Sequence, residues 1–324
     1  LSAVDPPGAD WRPTASWENL KRRAEILAQI REFFEKRGVL EVETPLAAAA
    51  PASDLHLHSI RLELDAGPER RELYLQTSPE FAMKRLLAAG SGPIYQISKA
   101  FRDGESGRRH NPEFTLLEWY RPGFDHHALM DEVDELLAEI LDVPPAERRT
   151  YGELFAERWG LDPHEAEAEE LENAAISAGL NLRDLDRDGW LHLLWSHGVE
   201  PDLGRGEPTF VLDFPASQAA LARIRPSDPP VAERFEVYVE GVELANGFHE
   251  LIDAAEQRRR FEADLEARRR NGLPEVPIDE HLLAALEAGM PECAGIALGV
   301  DRLVMLAVGA SSIAEVLAFP VERA

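Results

Sequence analysis

Residues 101–120, FRDGESGRRHNPEFTLLEWY, gather Arg102, Arg108, Arg109 and His110 on one loop and follow them with an apolar run that ends in Glu118 and Tyr120. Side chains alternate faces along a strand, so Phe114, Leu116, Glu118 and Tyr120 would share one side and Thr115, Leu117 and Trp119 the other. That places a carboxylate and a phenol beside an aromatic ring. The segment is either the lining of a polar site or a half-exposed strand whose Glu118 is simply solvated.

A second carboxylate pattern lies in FEVYVEGVEL. If Glu240-Gly241 is a two-residue turn, Tyr238 faces Glu243 and Val237 faces Leu244, and Glu236, Tyr238, Glu243 and Ala245 share one face. Two carboxylates at that range repel unless a cation or a basic group lies between them, and such oxygen ligands suit Mg²⁺ held together with substrate phosphates. The plainer alternative is a solvent face with two ordinary glutamates. Glu250, in NGFHEL, continues the even spacing of Glu236 and Glu243. In CAGIALGVDRLVML a period of two aligns Gly295, Ala297 and Gly299, leaving a strand face nearly bare of side chains ahead of Arg302. Such a face admits a planar ligand against the backbone, with the arginine able to grip a phosphate oxygen; it would equally let a helix pack closely on the strand.

Other chemistries find no support. No Gly-Lys-Ser/Thr loop, G-x-G-x-x-G or G-x-S-x-G occurs, which removes the common nucleotide-loop and serine-hydrolase readings. His56 and His58 alternate and His126 and His127 are adjacent, but no H-x-x-x-H or H-E-x-x-H spacing is present, so a zinc site is not expected. The single cysteine, Cys293, excludes an internal disulfide. A formal charge of -26 repels phosphate backbones unless the positive groups cluster, so extended nucleic-acid binding is disfavoured. Neither a membrane-length apolar run nor a secretory leader is recognisable, which implies the cytoplasm.

The elements that must position these groups are legible in outline. The 324 residues are 44% hydrophobic, enough for a large buried core. Leu20, Ala24, Leu27 and Ile30 predict a helix from Ser16 to Arg37, with Ser16 as N-cap and Gly38 as stop. VLEVETP, residues 60–64 and residues 73–75 read as strands, the last two joined by a Gly67-Pro68 turn. SPEFAMKRLLAAG reads as a helix with Ser78 as N-cap and Pro79 first. PIYQIS and PEFTLLEWY read as strands, 126–142 as an acidic helix and 144–206 as a mostly helical insertion. TFVLDF, RFEVYVEGVELANGF and GIALG read as further strands, with helices from Asp253 to Arg270 and from Asp301. Strands joined mainly by hairpins with helices outside them imply an α+β fold on an antiparallel sheet.

In that order along nearly the whole chain, the segments resemble the three signature motifs of the class II aminoacyl-tRNA synthetases, in the lysyl-tRNA synthetase branch. FFEKRGVLEVETP is similar to motif 1, ending at Pro45. FRDGESGRRHNPEFTLLEWY is similar to motif 2 and GIALGVDRLVML to motif 3, while TSPEFAMKRL and ELANGFHEL resemble the amino-acid pocket. The resemblance implies a class II catalytic domain over 16–324 after a short extension at 1–15, a homodimer, and ATP with Mg²⁺. No anticodon-reading OB-fold is expected. That implies a paralogue whose acceptor is a protein, a lysine side chain of elongation factor P, and not tRNA, with (R)-β-lysine or lysine as the amino acid. A compact lysyl-tRNA synthetase and a silent regulatory paralogue are the alternatives.

Carried over by residue, the resemblance implies that Arg102 holds the α-phosphate and Arg302 the distal phosphates, the two catalytic groups. Asn111 and Phe114 would engage adenine, and Asp103, Gly104, Glu105, His110, Leu244 and Gly299 would complete the ATP site. Glu236 and Glu243 would hold Mg²⁺. Glu80 would meet the amino group near the carboxyl end of the amino acid, with Ser78 and Pro79 beside it. Glu118, Tyr120 and Glu250 would surround the ε-ammonium, with Asn246 and Ala297 completing the pocket. Gly104 stands where motif 2 usually has the glutamate of Arg-x-Glu, and Ala297 where the branch usually has glycine.

Overall fold

The computed structural model describes residues 11–55, 57–66, 69–183 and 185–324; the expected extension up to residue 10, His56 and the Gly67-Pro68 turn lie outside the described residues. The first helix, α1 (Trp17–Lys36), buries Ile26, Ile30, Phe33 and Phe34, one stripe at helical spacing. Ser16 caps it, its hydroxyl accepting from the Asn19 amide at 3.1 Å. Ser16→Ala is expected to lower stability by about 1 kcal/mol, read as a shift in the urea midpoint.

Along the chain follow β1 (Leu40–Glu41), β2 (Ala47–Ala48), β3 (Arg61–Ala66), β4 (Glu69–Leu75), α2 (Glu80–Ala88), β5 (Ile94–Phe101), β6 (Glu113–Pro122) and α3 (His126–Leu141). Next come β7 (Glu147–Thr150), α4 (Tyr151–Trp159), α5 (Ala168–Ser177), α6 (Arg187–Gly198), β8 (Thr209–Pro215), β9 (Ile224–Arg225), β10 (Val231–Val239) and β11 (Val242–His249). The chain closes with α7 (Ala254–Arg270), α8 (Glu280–Gly289), β12 (Cys293–Gly299) and α9 (Val300–Ala307). The content is α+β, with mostly antiparallel strand pairing, as expected. Among the described residues no helix is long and apolar enough to cross a membrane.

Two compact units divide the chain: one of the residues up to Trp119 with Asp253–Met290 and Leu298–Ala324, the other of Tyr120–Ile252 and Pro291–Ala297, so that β6 and β12 each contribute to both. In the first, β1 pairs in parallel with β5, β5 neighbours β6, and β2, β4 and β3 form a small antiparallel sheet. Phe34 of α1 stacks on Tyr95 at 4.4 Å between ring centroids and meets the edge of Trp119 at 5.3 Å. Arg23 of α1 pairs with Asp301 at 2.6 Å, and the same carboxylate accepts from the Thr115 amide at 2.8 Å, fixing the start of α9 against β6.

In the second unit β11, β10 and β8 run antiparallel, β12 lies beside β11, and β7 joins β8 in parallel. Tyr151 stacks on Trp195 at 4.1 Å, with Phe214 tilted against both. Residues 144–206 hold α4, α5 and α6 as read, but they also hold β7. Its sequence, ERRT, has no apolar alternation; β8 supplies the pairing that makes it a strand.

Candidate functional site

The arginine loop of the first unit is a hairpin connection. The Arg102 amide donates to the Pro112 carbonyl at 2.9 Å, and Gly107 and His110 exchange backbone hydrogen bonds at 3.1 and 3.3 Å. Gly104 takes φ +80, a left-handed turn that a side chain there would strain. The turn brings Glu105, the next residue, to 3.7 Å from Arg102. The Asp103 amide donates to the His58 carbonyl at 2.8 Å, pinning the loop. Arg102 lies 5.0 Å from the centroid of the Phe114 ring, a cation–π contact. Its Nε is buried and donates to nothing. A buried donor without an acceptor is costly, and a phosphate oxygen would satisfy it.

Arg302, near the start of α9, donates to Nε2 of His110 at 2.7 Å. This fixes His110 as an acceptor at Nε2 and carries its proton to Nδ1. A Cβ on Gly299 would meet nothing nearer than the Arg302 side chain at 3.7 Å, so at this end of the bare strand face no protein packing demands the glycine. Asn111 is committed inside the protein. Its Nδ2 donates to the Glu113 carbonyl at 2.6 Å and its Oδ1 accepts from the Val321 amide at 2.9 Å. A side-chain contact to a base would use the second Nδ2 hydrogen or the second Oδ1 lone pair.

On the same unit, Ser78 is not the N-cap of α2, which begins at Glu80 after Pro79. Its hydroxyl instead donates to Glu118 at 2.8 Å and accepts from the Glu80 amide at 3.0 Å. The hydroxyl serves both at once, one donor and one acceptor, and Glu118 is 1% exposed, which rules out the solvated-strand alternative. Glu80 pairs at 2.6 Å with Lys84, one turn along and itself buried.

The carboxylate hairpin belongs to the second unit. Glu240 and Gly241 both take positive φ, 51 and 67, the turn that suits a two-residue hairpin. Tyr238 faces Glu243 as expected, but Val237 faces Ala245 and Glu236 faces Asn246. Leu244 is an extra residue without a partner, and the register shifts there. Ala245 therefore leaves the face assigned to it, and Asn246 joins Glu236, Tyr238 and Glu243. The same shift changes the parity of everything beyond it, so that Glu250, an odd number of residues from Glu243, falls in step with Glu243.

Glu236 accepts from Arg234 on one oxygen and from the Tyr238 hydroxyl on the other. Burial pushes its carboxyl above the usual range; Arg234 opposes this and Glu243 adds to it. Trp195 donates to the Tyr238 hydroxyl at 3.1 Å and Arg234 to Oδ1 of Asn246 at 3.2 Å. Tyr238→Phe would strip both Glu236 and the Trp195 indole of a partner. A loss of about 2 kcal/mol in urea unfolding is expected, and one below about 0.5 kcal/mol would show that the network is dispensable.

Across β12, a Cβ on Gly295 would lie 2.5 Å from Oε1 of Glu250 and closer still to the ring of Tyr120. Glycine is thus required where a buried carboxylate and a buried phenol approach the strand. Ala297, two residues on, is partly buried on the same strand face.

A family model for tRNA synthetases class II (D, K and N) matches residues 7–323. The chain belongs to this class II family. Within it the chain is similar to proteins named elongation factor P--(R)-beta-lysine ligase. That of Vibrio cholerae is 59% identical over 98% of this chain and 99% of its own length. The Vibrio vulnificus protein is 58% identical over 96% and 98%, and that of Salmonella paratyphi B 55% identical over 98% and 99%. Several groups of this class II domain were not singled out from the sequence. Arg23 and Asp301 set the start of α9, Arg234 holds Glu236, and Lys84 offsets Glu80. Only the first pair joins distant segments; Arg234 and Glu236 are two apart on β10, and Glu80 and Lys84 one turn apart on α2.

Proposed function

We propose that this chain activates (R)-β-lysine, or lysine, with ATP and transfers it to a lysine side chain of elongation factor P. The observation that carries this reading is the near-complete coverage, at 55–59% identity, of relatives bearing that name. The unsatisfied Arg102 Nε supports the nucleotide half of it.

In the first step a carboxylate oxygen of the amino acid attacks the α-phosphorus and pyrophosphate leaves. Arg102 offsets the charge that builds on the phosphorus, while Arg302 receives the distal phosphates. Phe114, already flanked by Arg102, offers a face to the adenine, with Asn111, His110, Asp103, Gly104, Glu105, Leu244 and Gly299 around the nucleotide. Glu243 and Glu236, whose proton affinity Glu243 helps to raise, are a donor set fitted to Mg²⁺, which would supply charge neutralisation on the phosphates. Glu243 would be its primary holder, and Glu236, braced by Arg234 and Tyr238, would add a remaining lone pair. Glu80, with Ser78 and Pro79, takes the near amino group. Glu118, Tyr120 and Glu250 take the ε-ammonium, with Asn246 and Ala297 shaping the pocket. In the second step a neutral lysine amine attacks the acyl carbon, the bond to the phosphate oxygen breaks, AMP leaves and the amine loses a proton. A homodimer is part of this reading.

Mass spectrometry of elongation factor P after incubation with the enzyme, ATP and each lysine isomer tests it. The expected product is one lysyl residue heavier. No gain with either isomer, together with charging of purified tRNA, would replace this reading with a tRNA synthetase.

A further inference from the structure

Three residues that no sequence spacing connects meet in the second unit. His126 is the first residue of α3, Glu233 lies on β10 and His249 ends β11. A ring nitrogen from each histidine and a carboxylate oxygen of Glu233 all lie within 4.8 Å of one another. Glu233 and His249 flank the paired Arg234 and Phe248, so they turn to the hairpin face opposite Glu236 and Asn246. The cluster is therefore separate from the carboxylates assigned to Mg²⁺.

Within the cluster, His249 and Glu233 already satisfy one another. Nδ1 of His249 is 2.7 Å from Glu233, and Arg223 is 3.1 Å from His249 Nε2. His126 is the anomaly. It is 2% exposed, and neither of its ring nitrogens has a hydrogen-bond partner. Buried polar groups left in that state are rare and costly, and a ligand explains them. Two imidazoles and one carboxylate are the donor set of three-ligand zinc sites that keep a fourth position for water.

We propose that His126, Glu233 and His249 form a binding site for a zinc-class divalent cation that ties the start of α3 to the β10–β11 hairpin. The ion takes the place of the proton between His249 and Glu233, and His126 closes in from the present spacing to the roughly 3.4 Å between ligand atoms of a tetrahedral site. Coordination through Nδ1 moves the proton of His249 to Nε2, which can then no longer accept from Arg223. That guanidinium lies 3.4 Å from Glu292 and is about a third exposed, so it can turn to that carboxylate. Arg225, 3.8 Å from Glu233, stays as a second opposing charge and keeps the affinity moderate.

The test is titration of the chelator-stripped full chain with Co²⁺, followed by displacement with Zn²⁺. Strong visible absorption of a tetrahedral cobalt centre, saturating at one ion per chain and bleached by Zn²⁺, is expected. His126→Gln should weaken binding by about 100-fold. Arg223→Gln should tighten it by about tenfold or more, tenfold being roughly what a charge a few ångströms away is worth when water screens it fully. The Arg223 variant also keeps the test decisive if the His126 variant folds poorly. Absence of the tetrahedral spectrum in the parent chain, equal affinity in a folded His126→Gln chain, or no tightening in Arg223→Gln would each overturn the proposal.

Discussion

Replacing Arg102 by alanine should lower ATP:pyrophosphate exchange by two to three orders of magnitude, roughly the effect of removing one donor aimed at developing charge. The fold should stand. Arg102 is tied to the rest of the protein by an ion pair with Glu105, whose partners are each about 30% exposed, and by the ring of Phe114. Contacts of that kind contribute about 1 kcal/mol or less each. Arg102→Lys should recover part of the activity, because a lysine keeps the charge but presents a point instead of a planar fork. Exchange within tenfold of the parent in the alanine variant would remove Arg102 from the reaction, and the nucleotide half of the proposed function with it.

The second large effect is expected at Gly295. Alanine there adds one carbon where Glu250 and the Tyr120 ring already touch the strand. Both side chains are buried, so neither can swing into water, and both must shift together. Overpacking of this sort costs about 1 to 3 kcal/mol of stability. The larger consequence falls on the amino acid. If Glu250 and Tyr120 hold the ε-ammonium, misplacing one charge-assisted hydrogen bond worth about 1.5 to 3 kcal/mol raises the KM for lysine or (R)-β-lysine by about 100-fold. The KM for ATP should change by no more than a few fold. Steady-state exchange with each substrate varied separately gives both numbers. Equal rises in the two would mean that Gly295 serves packing alone and that Glu250 does not face the amine.

Local pattern alone determined much of this protein. The stripe of apolar residues predicts α1 with its Ser16 cap, alternation predicts β6, and Glu240-Gly241 predicts the hairpin turn, because each depends on neighbours a few residues apart. The gathering of Arg102 and His110 on one connection follows in the same way, and the order of the motifs supplies the family. Tertiary structure decided the rest. Alternation counts residues and cannot foresee that Leu244 goes unpaired, which sends Ala245 to one face and Asn246 to the other. Burial of Glu118 and the hydrogen bond that Ser78 donates to it depend on α2 meeting β6. The amide of Asn111 is committed to Val321, more than two hundred residues away. His126, Glu233 and His249 converge only because α3 lies against the β10–β11 hairpin. Strand pairing and packing join segments distant in the chain, and those energies leave no mark on the spacing of residues within either segment.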